Sequence, residues 1–324
     1  MRRFLLPVLW RVALLLPLAL SPALMRADST GRQLLFQWRG PLPAPDDVVL
    51  LGIDEASLDP QLSRFGPWPW PRVQQASLAR EVLKKGARRV VFNIVHAGPS
   101  SFGPDDDQGF HDVLKPWKDK VLLSASLVRQ QWEGFEQVQL RRPWDERFQV
   151  GLSAFSIDSF GIVQAVPGME RLEDMLAPFP RPHPRPMAHL AADSTTASVD
   201  DGINFLGPSQ LIPVISAWSL GTESEDAWQD KVVIIGSTAP SLGDQLETPF
   251  GQQSGSEVLL SAIASLQSGR GFRGLDVAQL VAFLGCWMLL CLWRISTPST
   301  ALGTATTSAV LTALAGGWAV AAWW

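Results

Sequence analysis

The sequence predicts an α/β fold: a layered, mainly parallel sheet with flanking helices and an antiparallel extension, attached to transmembrane helices. Three observations carry this. Apolar runs such as Val48 to Ile53 and Lys231 to Ile235 lack the polar alternation of a half-exposed strand, so they suit strands covered on both faces. A segment of helical periodicity separates the first such run from the second, which is the order of a right-handed parallel crossover. Both ends of the 324-residue chain are apolar enough to enter a bilayer.

At the N-terminus, Arg2 and Arg3 precede Phe4 to Leu24, an apolar run interrupted by Arg11, Pro7, Pro17 and Pro22. It reads either as a kinked spanning anchor with Arg11 snorkelling or as a signal peptide with a Ser21-Pro22-Ala23 exit, and the anchor is preferred. Residues 1–27 are therefore taken as anchor or signal segment, 28–272 as the outer domain, and 276–294 and 300–324 as two transmembrane helices. No charge occurs from Ile295 to Trp324, and Ser296-Thr297-Pro298-Ser299 breaks the two helices apart. The positive-inside rule keeps Arg2, Arg3 and Arg294 in the cytoplasm and the domain outside it, with Trp324 also outside after three spans.

Within the domain, the strand Val48 to Ile53 ends in Asp54-Glu55. A helix from Val73 to Lys85 follows Pro71, turns Val73, Ala76, Ala79, Val82 and Leu83 inward, and stops at Gly86. Arg89 to Val95 is the next strand. Asp105-Asp106-Asp107 places negative charge at the start of a short helix reaching Leu114, and Lys120 to Leu127 is the third strand. Phe148 to Ile157 and Gly161 to Val166 predict an antiparallel extension. Proline at positions 180, 182, 184 and 186 predicts an exposed extended connector that is neither helix nor central strand. Gly202 to Phe205 reads as a short strand and Lys231 to Thr238 as a buried one. Ser254-Gly255-Ser256-Glu257 is a capping box opening a helix to about Gln267.

Composition excludes several functions. A net charge of -4 and the lack of a long Lys/Arg block argue against nucleic acid as a partner. Both cysteines, Cys286 and Cys291, fall in the C-terminal apolar run, so the domain has neither a disulfide framework nor a thiolate metal site. His96, His111, His183 and His189 lack metal-ligand spacing, and Asp105 to Asp107 lack the rest of a calcium loop. With no nucleophile elbow and no phosphate loop, neither cofactor nor catalysis is expected. The chain has 14 Trp and no Tyr, several of the tryptophans near the membrane ends where an amphipathic ring is favoured.

In open α/β sheets, ligands settle beyond the carboxyl ends of the strands. That rule selects Asp54 and Glu55, Asn93 and His96, and Ser237, Thr238 and Asp244. One reading is a polar ligand pocket in which Asp54 and Asp244 accept hydrogen bonds or hold a cation and Asn93 donates. The other is that these side chains cap helices and tie down loops, and the two stand level. Trp68-Pro69-Trp70-Pro71-Arg72 offers a surface for a flat or cationic ligand, but packing of Trp68 and Trp70 as a lid or core edge is favoured. Arg72 is expected to pair with a nearby carboxylate, Asp54 first.

Five segments in order resemble the CHASE domain of the second type: VLLGIDE at 49–55, GPWPWPR at 66–72, GARRVVFNI at 86–94, INFLGP at 203–208, and KVVIIGSTAPSLGDQLETP at 231–249. Together they span nearly the whole outer domain, and the Trp-Pro-Trp-Pro-Arg and Ile-Gly-Ser-Thr elements are the specific ones. The resemblance implies an extracellular sensor associated with cyclases and protein kinases. Three features depart from the family pattern: Asn93 stands where aspartate is usual, Phe160 and Gln164 stand where an acid and a basic residue are usual, and no catalytic domain follows the last helix. The expectation is a sensory protein of the inner membrane with its domain in the periplasm. Its partners would be the bilayer, an unidentified small molecule, and either a separate kinase or cyclase or a second copy. The alternatives are a membrane-tethered hydrolase using Asp54, Asp244 and a metal, and a structural membrane partner.

Overall fold

A computed structural model describes residues 22–59, 61, 65–132 and 135–271. The transmembrane helices expected at 276–294 and 300–324, and the anchor before Pro22, lie outside these residues. No helix among the described residues is long and apolar enough to cross a membrane. All the elements below belong to a unit over Met1–Gly269, distinct from Arg270–Trp324.

Among the described residues, seven strands run parallel in one sheet. Their spatial order is β10 (Val214–Ser216), β1 (Val48–Ile53), β11 (Val232–Ser237), β2 (Arg89–Asn93), β3 (Val121–Trp132), β5 (Gln149–Leu152) and β8 (Arg185–Pro186). β4 (Phe135–Arg141) folds back antiparallel on β3. The continuous apolar text of β1 and β11 has its cause here, since both lie inside the sheet with Leu50, Leu51, Ile234 and Ile235 fully buried.

Alternating side chains divide between two faces. On one face, Leu51, Ile53, Phe92, Leu123, Val233 and Ile235 pack with α2 (Arg72–Lys84) through Ala76, Ala79 and Val82, and with α3 (Pro104–Leu114) through Phe110 and Leu114. A further helix, α4 (Met169–Leu176), sets Leu172 and Leu176 on Ala125 and Leu152. On the other face lie α5 (Met187–Ala191), against β5 and β3, and α6 (Gly255–Ser268), against β1 and β11. The result is a three-layer α/β/α sandwich. Its N-terminal helix α1 (Pro22–Arg39) seats Phe36, 3% exposed, edge-on to Phe205 and Phe250. That buried contact packs the later part of α1 onto the rest of the unit.

The predicted α2 and α3 are present within a residue or two, and Gly86 follows the α2 C-cap at φ +89°. Three expectations change. Phe148 to Ile157 is not one antiparallel strand. Its first half is β5, parallel between β3 and β8, and after a break at residues 153–155 it resumes as β6 (Ser156–Ile157). At that break the Ser153 N–H still bonds Ala125 O at 2.8 Å while its side chain turns elsewhere. The antiparallel extension is instead β6 with β7 (Val163–Val166) and β9 (Asp201–Gly202). Second, the proline connector buries Pro184 and Pro186 and ends as β8, tolerated because an edge strand leaves its N–H side free of pairing. Third, only Asp201–Gly202 pairs as a strand there. Ile203 still donates to Gln164 O of β7 at 3.0 Å, but Asn204 and Leu206 turn to α6, whose Ser265 Oγ accepts the Asn204 N–H at 2.9 Å.

Trp70 is core: 2% exposed, with Nε1 donating to Gly66 O at 3.1 Å and its carbonyl accepting from Gln75 Nε2 at 2.9 Å. Trp68 meets it edge-on at 5.3 Å and stays partly exposed. Truncating a buried indole removes transfer energy and leaves a cavity, so Trp70→Ala should lower stability by about 3–5 kcal/mol. Urea unfolding followed by far-UV circular dichroism measures this, with a much smaller shift of the midpoint for Trp68→Ala.

Candidate functional site

Neighbouring strands β11 and β2 send their chains to opposite faces: β2 leads to α3 on one side, and β11 leads through the hairpin β12 (Gln245–Thr248) and β13 (Gly251–Ser254) to α6 on the other. A divergence of this kind opens a crevice at the carboxyl ends of the two strands. The cavity found there, about 430 Å³, is lined by Asn93 from β2, Ser237 from β11, Ser126 from β3, Ser153 past β5, Asp244, Gly255 at the start of α6, and an apolar wall including Trp68 and Leu246. Its volume falls within the roughly 300–1,000 Å³ of small-molecule pockets.

Asn93 is the centre of the site. Its Nδ2 donates to Ser256 Oγ at 3.0 Å and its Oδ1 accepts from Ser153 Oγ at 2.7 Å, so one amide joins β2, the end of β5 and the first turn of α6. An uncharged group that both donates and accepts serves these two hydroxyls without bringing a charge. The helix can come this close because β11 carries Gly236, where an added Cβ would stand 2.2 Å from Ser256 Oγ. Gly255 plays the same part for Asp244, since a Cβ there would stand 2.6 Å from Oδ1. Burial pushes the Asp244 carboxyl above the ordinary carboxylate range, and the Gly255 N–H offsets part of that. The capping box is formed as predicted: Glu257 N donates to Ser254 Oγ at 3.2 Å, and Ser254 N donates to Glu257 Oε2 at 2.7 Å.

Of the residues selected from the sequence, Trp68, Asn93, Ser237 and Asp244 share this cavity. The others go elsewhere. Asp54 caps the one-turn helix Glu55–Leu58, its Oδ1 accepting from Ser57 N at 2.9 Å, Ser57 Oγ at 2.6 Å and Ser216 Oγ at 2.8 Å. It does not line the cavity with Asp244, so the expected carboxylate pair is not assembled. Glu55 accepts from Ser241 N at 3.0 Å, and Thr238 donates its N–H to Ile53 O at 3.0 Å. Ser153 and Phe155 were missed, although the carboxyl-end rule finds them once β5 is known to be parallel.

Arg72 pairs with Asp107, not Asp54, at 2.5 Å, and its second nitrogen donates to Gly98 O at 2.8 Å. Asp106 receives the backbone N–H groups of Arg72 at 2.9 Å and Val73 at 3.0 Å. Since Pro71 offers no side-chain cap, this carboxylate from α3 supplies the cap of α2. Burial works against its charge, yet hydrogen bonds from Ser100, Val73 and Arg72 hold it below the usual range. Two of the three acids predicted to serve the α3 start thus serve α2 and Arg72 as well. His96 lies beside this network, 6% exposed, with Nε2 2.9 Å from Gln75 Oε1. Because Gln75 Nε2 is committed to Trp70 O, His96 Nε2 is the donor, and Nδ1 is buried with no hydrogen-bond partner among the described residues, as suits a neutral ring. Burial, aided by Arg72 and opposed by Asp106, pushes the His96 pKa down to about 3.

Asp158, in the stretch where the family pattern is altered, accepts from Phe160 N at 2.8 Å, Ser29 Oγ at 2.8 Å and Gln164 Nε2 at 3.2 Å, tying α1 to β7. Gln164 thus keeps a bond to Asp158 without a positive charge.

In comparisons with known proteins, the family model of the CHASE2 domain matches residues 11–293. No curated protein and no solved structure matches.

The buried His96 gives a pH dependence of defined sign. Its folded pKa of about 3 lies below the ordinary 6.5, so below pH 6.5 the unfolded chain binds a proton that the folded chain refuses. This stability is complete above pH 6.5 and is lost as the pH falls toward 3, by up to about 1.4 kcal/mol per pH unit. Unfolding free energies at pH 7 and 4.5 should differ by about 2–3 kcal/mol more in the native chain than in His96→Gln. Equal pH slopes would show that the ring is not buried neutral.

Proposed function

The chain belongs to the CHASE2 domain family, and from that premise we propose that it is a membrane-anchored sensor whose input is occupancy of the cavity between β2, β11 and α6. CHASE2 is an extracellular sensory domain family, and a sensory role follows from membership. The observation that carries the finer reading is that the first turn of α6 is itself a wall of the cavity, through Gly255, while Ser256 from the same turn bonds Asn93. A ligand there contacts the last helix of the unit. The sequence beyond α6 runs from Gly269 toward the apolar stretch Val277 to Trp293. In this reading the domain lies on the periplasmic side of the inner membrane, the bilayer is its permanent partner, and a kinase or cyclase, or a second copy of the chain, receives the signal.

A ligand shifts such a device only as far as it prefers one arrangement of α6 over another. Occupied and empty proteins should therefore differ in the exchange behaviour of α6. A thermal-shift screen of small metabolites on the purified full-length protein should yield compounds that raise the melting temperature and slow amide exchange in Gly255–Ser268. Both effects should vanish in Ala154→Trp, whose indole would fill the cavity that Ala154 lines. Stabilising compounds unaffected by the plug, or none at all, would sink the reading.

A further inference from the structure

The charge pattern of the cavity narrows what enters it. Among the described residues, Asp244 is the only charged side chain that lines it, and no Lys, Arg or His does. The start of a helix attracts anions, and Asp244 takes the Gly255 N–H there. Charge at this helix start is already supplied: Ser254 and Glu257 form the capping box, and Glu257, 4% exposed, brings a carboxylate to the same turn. Asp244 is thus a second acid at one helix start, which takes the Gly255 N–H and otherwise faces a largely apolar chamber. A sheltered carboxylate without a cation is costly, and its raised pKa expresses that cost.

Building on the cavity reading above, we infer that the site takes a small organic cation, its ammonium group on Asp244 and its apolar body against Trp68 and Leu246. The geometry separates this from two other occupants. An anion would meet Asp244 with no compensating base on the wall. A bare metal ion would need several hard donors, whereas no group of three His, Cys, Asp or Glu among the described residues is placed to hold one. The walls instead offer what an amine with a hydrocarbon body uses: one carboxylate, the hydroxyls of Ser126, Ser153 and Ser237, and the partly exposed indole of Trp68.

Three probes of matched shape test this on the full-length protein in lipid nanodiscs, by tryptophan fluorescence titration against empty discs: 2-phenylethylamine, 2-phenylethanol and 3-phenylpropanoate. The amine should bind at least about tenfold more tightly than the alcohol, and the carboxylate most weakly; that preference corresponds to about 1.4 kcal/mol. In Asp244→Asn, which keeps the shape and removes the charge, the amine and the alcohol should bind alike. If that variant does not fold, the ranking on the native chain still decides. An alcohol or carboxylate that equals the amine, no binding by any of the three, or an amine advantage that survives Asp244→Asn overturns the cation assignment. Alcohol binding that equals the amine's and is lost in Ala154→Trp would overturn the cation assignment while leaving the cavity reading intact, and probe binding indifferent to that plug would end both.

Discussion

The arrangement depends on one close approach, the seating of the first turn of α6 on the carboxyl ends of β2 and β11. Gly236 makes room for Ser256, Gly255 makes room for Asp244, and the Asn93 amide fastens the contact from the sheet side. None of these residues is large, and their value lies in what they leave out. A methyl group at position 236 or 255 would fall inside the van der Waals distance of its neighbour, and the helix would have to lift. Lifting it would open the cavity and break the hydrogen bond from Asn93 Nδ2 to Ser256 Oγ. The space for a ligand and the anchorage of the helix are therefore set by the same few atoms.

A second fastening lies on the opposite face, where the start of α2 has no cap of its own. Asp106 and Asp107 reach it from α3 and satisfy both its backbone donors and Arg72. This places strong charge in a sheltered position, which holds only because each carboxylate oxygen has a donor. His96 stays neutral between this network and Phe92, its ring 5.5 Å from the phenyl ring. Trp70, under the same loop, converts the stiff Trp-Pro-Trp-Pro segment into core. Trp68 is left half outside, and so it alone of the pair reaches the cavity.

Much of this was legible in the sequence, and the failures have common physical causes. β1, β2 and β11 announce themselves because strands covered on both faces must be apolar throughout, and the α6 start is written in four consecutive residues. Of the site, Asn93, Ser237 and Asp244 follow from the carboxyl-end rule. Partner choice is different: nothing local tells Gln149–Leu152 whether it pairs parallel or antiparallel, and the two-residue strand β8 is too short to carry a pattern. Arg72 was matched to Asp54 at the end of β1, whereas its partner Asp107 lies thirty-five positions along the chain on a second helix. Capping acids are legible when they precede the helix they serve, and Asp106 caps a helix from outside it. The family resemblance recovered from five segments agrees with the match over residues 11–293, and it supplied the sensory role that the residues alone left level with bland alternatives.

The strand order has a kinetic side. β11 lies between β1 and β2, so the two earliest strands are not neighbours and cannot complete the middle of the sheet by themselves. Their common partner is the last of the seven parallel strands to be synthesised, and it joins them across most of the length of the unit. Pairing at such sequence separation is slow, because the entropy of closing a long loop is paid before any contact is gained. Until residues 232–237 arrive, Leu51 and Val91 each face an empty lane. The emerging chain must then be kept from associating through those edges, and the centre of the sheet closes only shortly before α6 is made.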